Sequence, residues 1–202
     1  MLSRVVCHNL PVSGGKVVAP VTQAAVDAVT GWKNSVDGIY QRQVEAFAAA
    51  APPGDRNARV QAAIDRAKSQ LGVPYAWGGG NANGPTRGIT DHGGPADAHG
   101  DFKKIGFDCS GLMEYAFAGS GANVHRPAAA EAGQGPHVPL DQIQPGDMVF
   151  YAGAGGKGHI HHVAMYIGNG QMIEAPQSGL NVRIVPMRRD NTLVQYATRP
   201  IP

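Results

Sequence analysis

Cys109 is one of two cysteines in a chain of 202 residues, and its setting suits a nucleophile. It stands in Gly106-Phe107-Asp108-Cys109-Ser110-Gly111-Leu112. A long Gly/Pro/Asp-rich segment precedes it, and apolar residues follow at helical spacing: Leu112, Met113, Tyr115 and Ala116. The spacing predicts a loop-to-helix junction with Cys109 on or near the first turn. A helix N-terminus leaves backbone N–H groups unpaired and carries about half a unit of positive charge. Both favour thiolate, so the thiol is expected to ionise below the usual value of about 8.5. On this heptapeptide alone, a small apolar core filler is an equally good reading of Cys109.

A thiol nucleophile needs a base, and the base needs an orienter. His161-His162-Val163-Ala164-Met165-Tyr166 reads as a strand, whose side chains alternate between faces. His162, Ala164 and Tyr166 share one face. His161, Val163, Met165 and Ile167 share the other, which has core character. His162 is therefore the imidazole able to point away from the core. A neutral imidazole takes a thiol proton and returns it to a leaving amine. Across a Gly168-Asn169-Gly170 turn lies Glu174, on the return strand, where a hairpin holds cross-strand Cβ atoms about 4.5–5.5 Å apart. A carboxylate there fixes the imidazole tautomer, as the third group of a triad does. Taken alone, Glu174 reads more plainly as a surface glutamate. His159 and His161 share a strand face and could chelate a metal, but no carboxylate or cysteine completes a set. Asp91, His92, Asp97, His99 and Asp101 are further potential ligands whose spacing matches no zinc pattern. No metal and no cofactor are assigned.

These residues need elements to hold them. Residues 1–20 read as irregular. Residues 21–50 carry an amphipathic stripe, weakened near Gly31, that packs on the following domain or offers a surface to a protein partner. Pro52-Pro53-Gly54 ends it, dividing the chain into an extension, 1–54, and a catalytic-type domain, 55–202. A helix is predicted over 57–71, with Val60, Ile64, Ala67 and Leu71 as its stripe, Asp55 or Asn57 as its cap and Gly72 as its stop. Residues 81–106 show no periodicity and read as a long loop. After the Cys109 helix come strands at Met148–Tyr151, Ile160–Ile167, Gln171–Ala175, Val182–Val185 and Thr192–Thr198. Helices first and hairpin strands after them predict an α+β fold with a small antiparallel sheet. The 43% apolar content supplies a core, and Gly 28 with Pro 15 argues against a helical bundle. A net charge of +2 without a basic patch excludes nucleic acid as the expected partner. No run approaches the ~18 apolar residues of a membrane span. No signal peptide is visible, which leaves a cytoplasmic chain, another export route or a missing leader as readings.

With VPYAWGGG, FDCSGL, PGDMVFY, HVAMYIGNG and QMIEAP in this order, the chain resembles the NlpC/p60 family of papain-like cysteine peptidases over roughly residues 58–200. In wording it is most similar to the mycobacterial-type cell-wall endopeptidases. The resemblance implies a papain-like α+β fold, a secreted or cell-wall location, and hydrolysis of peptidoglycan stem peptides, typically at the D-γ-glutamyl–meso-diaminopimelate bond. By position it makes Cys109 the nucleophile, His162 the base and Glu174 the orienting residue. Asp108 and Ser110 would shape the substrate cleft, and Tyr75 would assist an oxyanion. The family usually carries Ser with Gln three residues on after the nucleophile helix, whereas this chain reads Val124-His125-Arg126-Pro127-Ala128-Ala129-Ala130-Glu131. A negative Glu131 would repel an anionic stem peptide, and the long loop before Cys109 would cover the cleft. Weak or latent activity is therefore one expectation. A degenerate module that binds peptidoglycan or a protein partner without cutting is the other.

Overall fold

The computed structural model describes residues 55–202. The predicted helix over 21–50, the rest of the 1–54 extension and Cys7 lie outside the described residues. In chain order the elements are α1 (Arg56–Lys68), β1 (Thr86–Arg87), α2 (Pro95–Ala98), β2 (Ile105–Gly106), α3 (Cys109–Ala118), α4 (Ala128–Glu131), β3 (His137–Pro139), β4 (Met148–Gly153), β5 (Lys157–Gly168), β6 (Gln171–Glu174), β7 (Arg183–Pro186) and β8 (Leu193–Thr198).

The α1 helix starts where its cap dictates. The Asp55 carboxylate accepts hydrogen bonds from the N–H groups of Asn57 at 2.9 Å and Ala58 at 3.2 Å, meeting two of the donors a helix start leaves unpaired. Val60, Ala63, Ile64 and Ala67 are buried. The helix stops a turn short of the predicted end. Ser69 is its C-cap, and Leu71, expected to close the stripe, is 46% exposed. Arg66 ties α1 to α3, donating to the Tyr115 carbonyl at 2.7 Å with its guanidinium 4.0 Å over the Tyr115 ring. Between α1 and β5, α3 is buried almost all round, only Glu114 and Ala118 reaching partial exposure.

Behind the helices stands a six-stranded antiparallel sheet in the order β3-β8-β4-β5-β6-β7. The hairpin joining β5 and β6 turns at Gly168-Asn169-Gly170, all with positive φ, the conformation such tight hairpins demand. Both sheet faces are covered. Met148, Phe150, Val163, Met165 and Ile173 pack towards α1 and α3. Val149, Tyr151, Ala164, Met172, Leu193 and Ala197 form a second, smaller cluster. The face carrying His162 is thus buried, not open. On the other face His161 departs from its expected core position: it is exposed, because β5 runs past the core at that end.

The segment 81–106 is folded rather than irregular. β1 and β2 pair antiparallel. The Asp91 carboxylate accepts from the N–H groups of Ala96 at 2.9 Å and Asp97 at 3.0 Å, while Asp97 accepts from Thr90 Oγ1 at 2.7 Å and Gly93 N–H at 2.8 Å. Buried Asp101 accepts from Lys104 Nζ at 2.7 Å and Ser178 Oγ at 2.6 Å. These acids bind backbone and neighbouring side chains. Among the described residues no group of three His, Cys, Asp or Glu is placed to hold a metal ion.

Candidate active site

The nucleophile candidate sits where its helix begins. Asp108 caps α3, one carboxylate oxygen accepting from Gly111 N–H at 2.7 Å and from Ser110 Oγ at 3.0 Å. Its other oxygen accepts from Gly78 N–H at 3.1 Å and pairs with Arg126. Arg126 also donates to the Gly80 carbonyl at 2.8 Å and to Ser110 Oγ at 3.2 Å. Asp108 and Arg126 together bind the glycine loop, the helix start and the irregular segment after α3. Sequence reasoning missed Arg126, whose signal was only its place in the segment that departs from the family pattern.

Cys109 is a free, buried thiol on the first turn. Tyr75, Trp77, Asp108, Ser110, Ala128 and His161 line its cavity of about 200 Å³. Of the loop between Arg87 and Cys109, expected to cover the cleft, only Asp108 lines this cavity. The thiol departs from expectation too. Burial first, and the Asp108 charge second, push it up to about 12, against the opposing pull of the Val163 and Ser110 backbone groups. Desolvation of the charged form outweighs the helix N-terminus here. Tyr75 beside it is raised well above the usual phenol value, by burial and then by the charges of Cys109 and Asp108. Its hydroxyl stays protonated and able to donate. Asp108 and Ser110 line the cavity, but their polar atoms are engaged with one another and with Arg126.

His162 and Glu174 meet on adjacent strands. Nε2 of His162 lies 2.8 Å from a Glu174 carboxylate oxygen, twelve residues on in sequence. Both are buried, so Glu174 is no surface residue. Arg183 donates to Glu174 Oε1 from Nε at 3.1 Å and from a terminal nitrogen at 2.9 Å. Arg188 reaches both oxygens, at 3.1 and 2.9 Å. Burial alone would raise Glu174, but hydrogen bonds and charge from His162, then Arg188, hold it at about 2. Tyr151 pairs with His162 across β4 and β5, its ring centroid 5.7 Å from the imidazole. The Val163 backbone, one residue after His162, approaches the Cys109 sulfur. No hydrogen bond joins the Cys109 thiol to the His162 ring.

Glu131 corrects a sequence expectation. It is fully buried and neither carboxylate oxygen has a hydrogen-bond partner. Burial, then Asp108, raise it to about 9, with Arg126 opposing. At neutral pH it is a neutral acid inside the wall, close in shape to glutamine, and it presents no charge to a ligand. Its ionisation is linked to folding. The folded value lies above the unfolded one of about 4.3, so the native state holds a proton the unfolded chain has lost. Stability is then full below that unfolded value and falls as pH rises towards about 9, by up to about 1.4 kcal/mol per pH unit. Urea melts of the wild type and Glu131→Gln at pH 5, 7 and 9 are expected to converge at pH 5, with the variant more stable at pH 9. Parallel pH trends in the two proteins would contradict the assignment.

The profile described as the NlpC/P60 family matches residues 72–198. The peptidoglycan endopeptidase RipA of Mycolicibacterium smegmatis is 45% identical over 142 residues, 70% of this chain. That stretch is only 26% of the RipA sequence. The solved structure of the peptidoglycan hydrolase RipB from Mycobacterium tuberculosis superposes with a TM-score of 0.65 at 33% identity, covering 90% of this chain and 87% of that one. RipD from the same organism, a non-catalytic NlpC/p60 domain protein adapted to peptidoglycan binding, superposes with a TM-score of 0.58 at 35% identity, covering 70% of this chain and 96% of that one.

Proposed function

Because the chain belongs to the NlpC/P60 family, we propose that it is a secreted or wall-associated peptidoglycan hydrolase. In this reading it cuts stem peptides at a D-γ-glutamyl–diaminopimelate type bond. The observation that carries the reading is the buried His162–Glu174 pair at 2.8 Å, with Val163, the residue after His162 on its strand, approaching the Cys109 sulfur through its backbone. Glu174, ionised across the working pH range, accepts a hydrogen bond from Nε2–H and so leaves the Nδ1 lone pair to act as base. The free thiol is protonated, so its proton moves to Nδ1 as the sulfur attacks the scissile carbonyl, instead of a thiolate waiting for substrate. The thiol–imidazole hydrogen bond forms when substrate binds. Tyr75 donates its hydroxyl hydrogen to the developing oxyanion. The imidazolium protonates the leaving amine, the C–N bond breaks and an acyl-thioester remains. Water, deprotonated by His162, then releases the acid and restores the thiol.

The test is incubation of the full chain with the tripeptide L-Ala–D-γ-Glu–diaminopimelate, reading free diaminopimelate by amine detection. Release at a rate linear in enzyme concentration is the expected result. A second reading, a wall-binding module that does not cut, is favoured by the raised thiol and the likeness to RipD. No release, with retention on insoluble peptidoglycan, would replace the first reading with the second.

A further inference from the structure

A second cavity, of about 330 Å³, opens at the His162–Glu174 pair, both of which line it together with His161, Gln177, Arg183 and Arg188. His161 lines both this cavity and the one that holds Cys109, so the two adjoin. Two guanidiniums face the cavity over a single buried carboxylate. The Arg183 and Arg188 side chains stay 42% and 37% exposed while Glu174 is fully buried beneath them. Arg183 spends Nε and one terminal nitrogen on Glu174, Arg188 only one terminal nitrogen. Each guanidinium presents five N–H donors, so donors remain on both for a ligand. Arg188 also packs on an aromatic face, its guanidinium carbon 4.4 Å from the centre of the Tyr151 ring. The other nearby acid, Asp190, turns its carboxylate to Thr192 N–H at 2.8 Å and to the Thr192 hydroxyl, and it does not line the cavity.

We infer that Arg183 and Arg188 form a carboxylate-binding subsite for the residue on the amine side of the scissile bond. This rests on the hydrolytic reading above. The leaving amine must lie against the imidazole that protonates it. With the acyl half on Cys109 and Tyr75, the amine-side residue runs past His162 into the arginine-lined cavity. Diaminopimelate carries a carboxylate at the far end of its side chain, and lysine is the same side chain without it. A paired-guanidinium site distinguishes the two by charge-assisted hydrogen bonds.

The experiment compares kcat/KM of the full chain on three peptides: L-Ala–D-γ-Glu–diaminopimelate, the same peptide with the side-chain carboxylate amidated, and L-Ala–D-γ-Glu–L-Lys. The wild type is expected to prefer the free carboxylate by about tenfold or more, as one charged hydrogen-bonded contact would give. Arg183→Gln is expected to bring that ratio within about twofold. The ratio is the deciding readout, because a merely structural loss at Glu174 slows all three peptides alike. Calorimetric titration of Cys109→Ala with the same peptides reads the preference without turnover. Equal handling of the three peptides by the wild type in both assays, or a preference that survives in Arg183→Gln, would overturn the subsite. Failure to cut any peptide while binding still discriminates would overturn the hydrolytic reading and leave the arginine site standing.

Discussion

Cys109→Ala is expected to stop release of diaminopimelate, with a loss of at least about a thousandfold, since removing the nucleophile of a thiol or hydroxyl triad abolishes the covalent route. The change trims a small side chain at a helix start whose cap and packing are independent of the sulfur, so the urea midpoint is expected to stay close to wild type. Retained cleavage would mean that the chemistry runs through another group. The raised thiol adds a second readout. With ionisation pushed up to about 12, the iodoacetamide alkylation rate of the free protein is expected to climb with pH through 9 without levelling off. A plateau between pH 6 and 7 would instead reveal a standing thiolate–imidazolium pair, and the concerted proton transfer proposed here would be wrong.

Gly111→Ala is expected to cost about 3 kcal/mol of stability, the upper part of the range for overpacking. The sign is what makes it informative. On an exposed helix the same change gains about 1 kcal/mol through propensity. Here a Cβ would stand 2.2 Å from the Gly79 carbonyl oxygen and 3.2 Å from Gly80 Cα. The helix cannot back away, because the Asp108 N–H donates to that same Gly79 carbonyl at 3.0 Å and its carboxylate holds Gly78 and Arg126. Backbone meets backbone, so no side chain can yield. A urea midpoint unchanged or higher in Gly111→Ala would show that the glycine loop does not press on the helix.

The expected α+β fold, the strands from 148 onward and the helix starting at Cys109 were legible because periodicity and turn chemistry act locally. The family assignment came from five motifs in order. Three features were not legible, each for a physical reason. The folded core of 81–106 is built from Asp side chains bonded to nearby backbone, which leaves no periodic trace. Strands β1, β2 and β3 are too short for alternation to register. Electrostatics depend on burial, which spacing cannot supply. The helix N-terminus argued for an acidic thiol, and desolvation reversed it. Glu131 read as a charge facing substrate, and full burial made it a neutral part of the wall. Arg183 and Arg188 carried no sequence signal as partners of Glu174, since only the β6–β7 pairing and the segment after it bring them there.

The Asp108–Arg126 junction bears on how this cleft would tolerate redesign. One carboxylate fixes both the seat of the sulfur and the loop that carries Trp77, so that side of the groove and the reactive atom form one rigid piece. Grafting a different 77–80 loop to accept new acyl groups would drag the sulfur out of line. The arginine side has no such linkage to α3, and selection for altered cargo would do better to begin there.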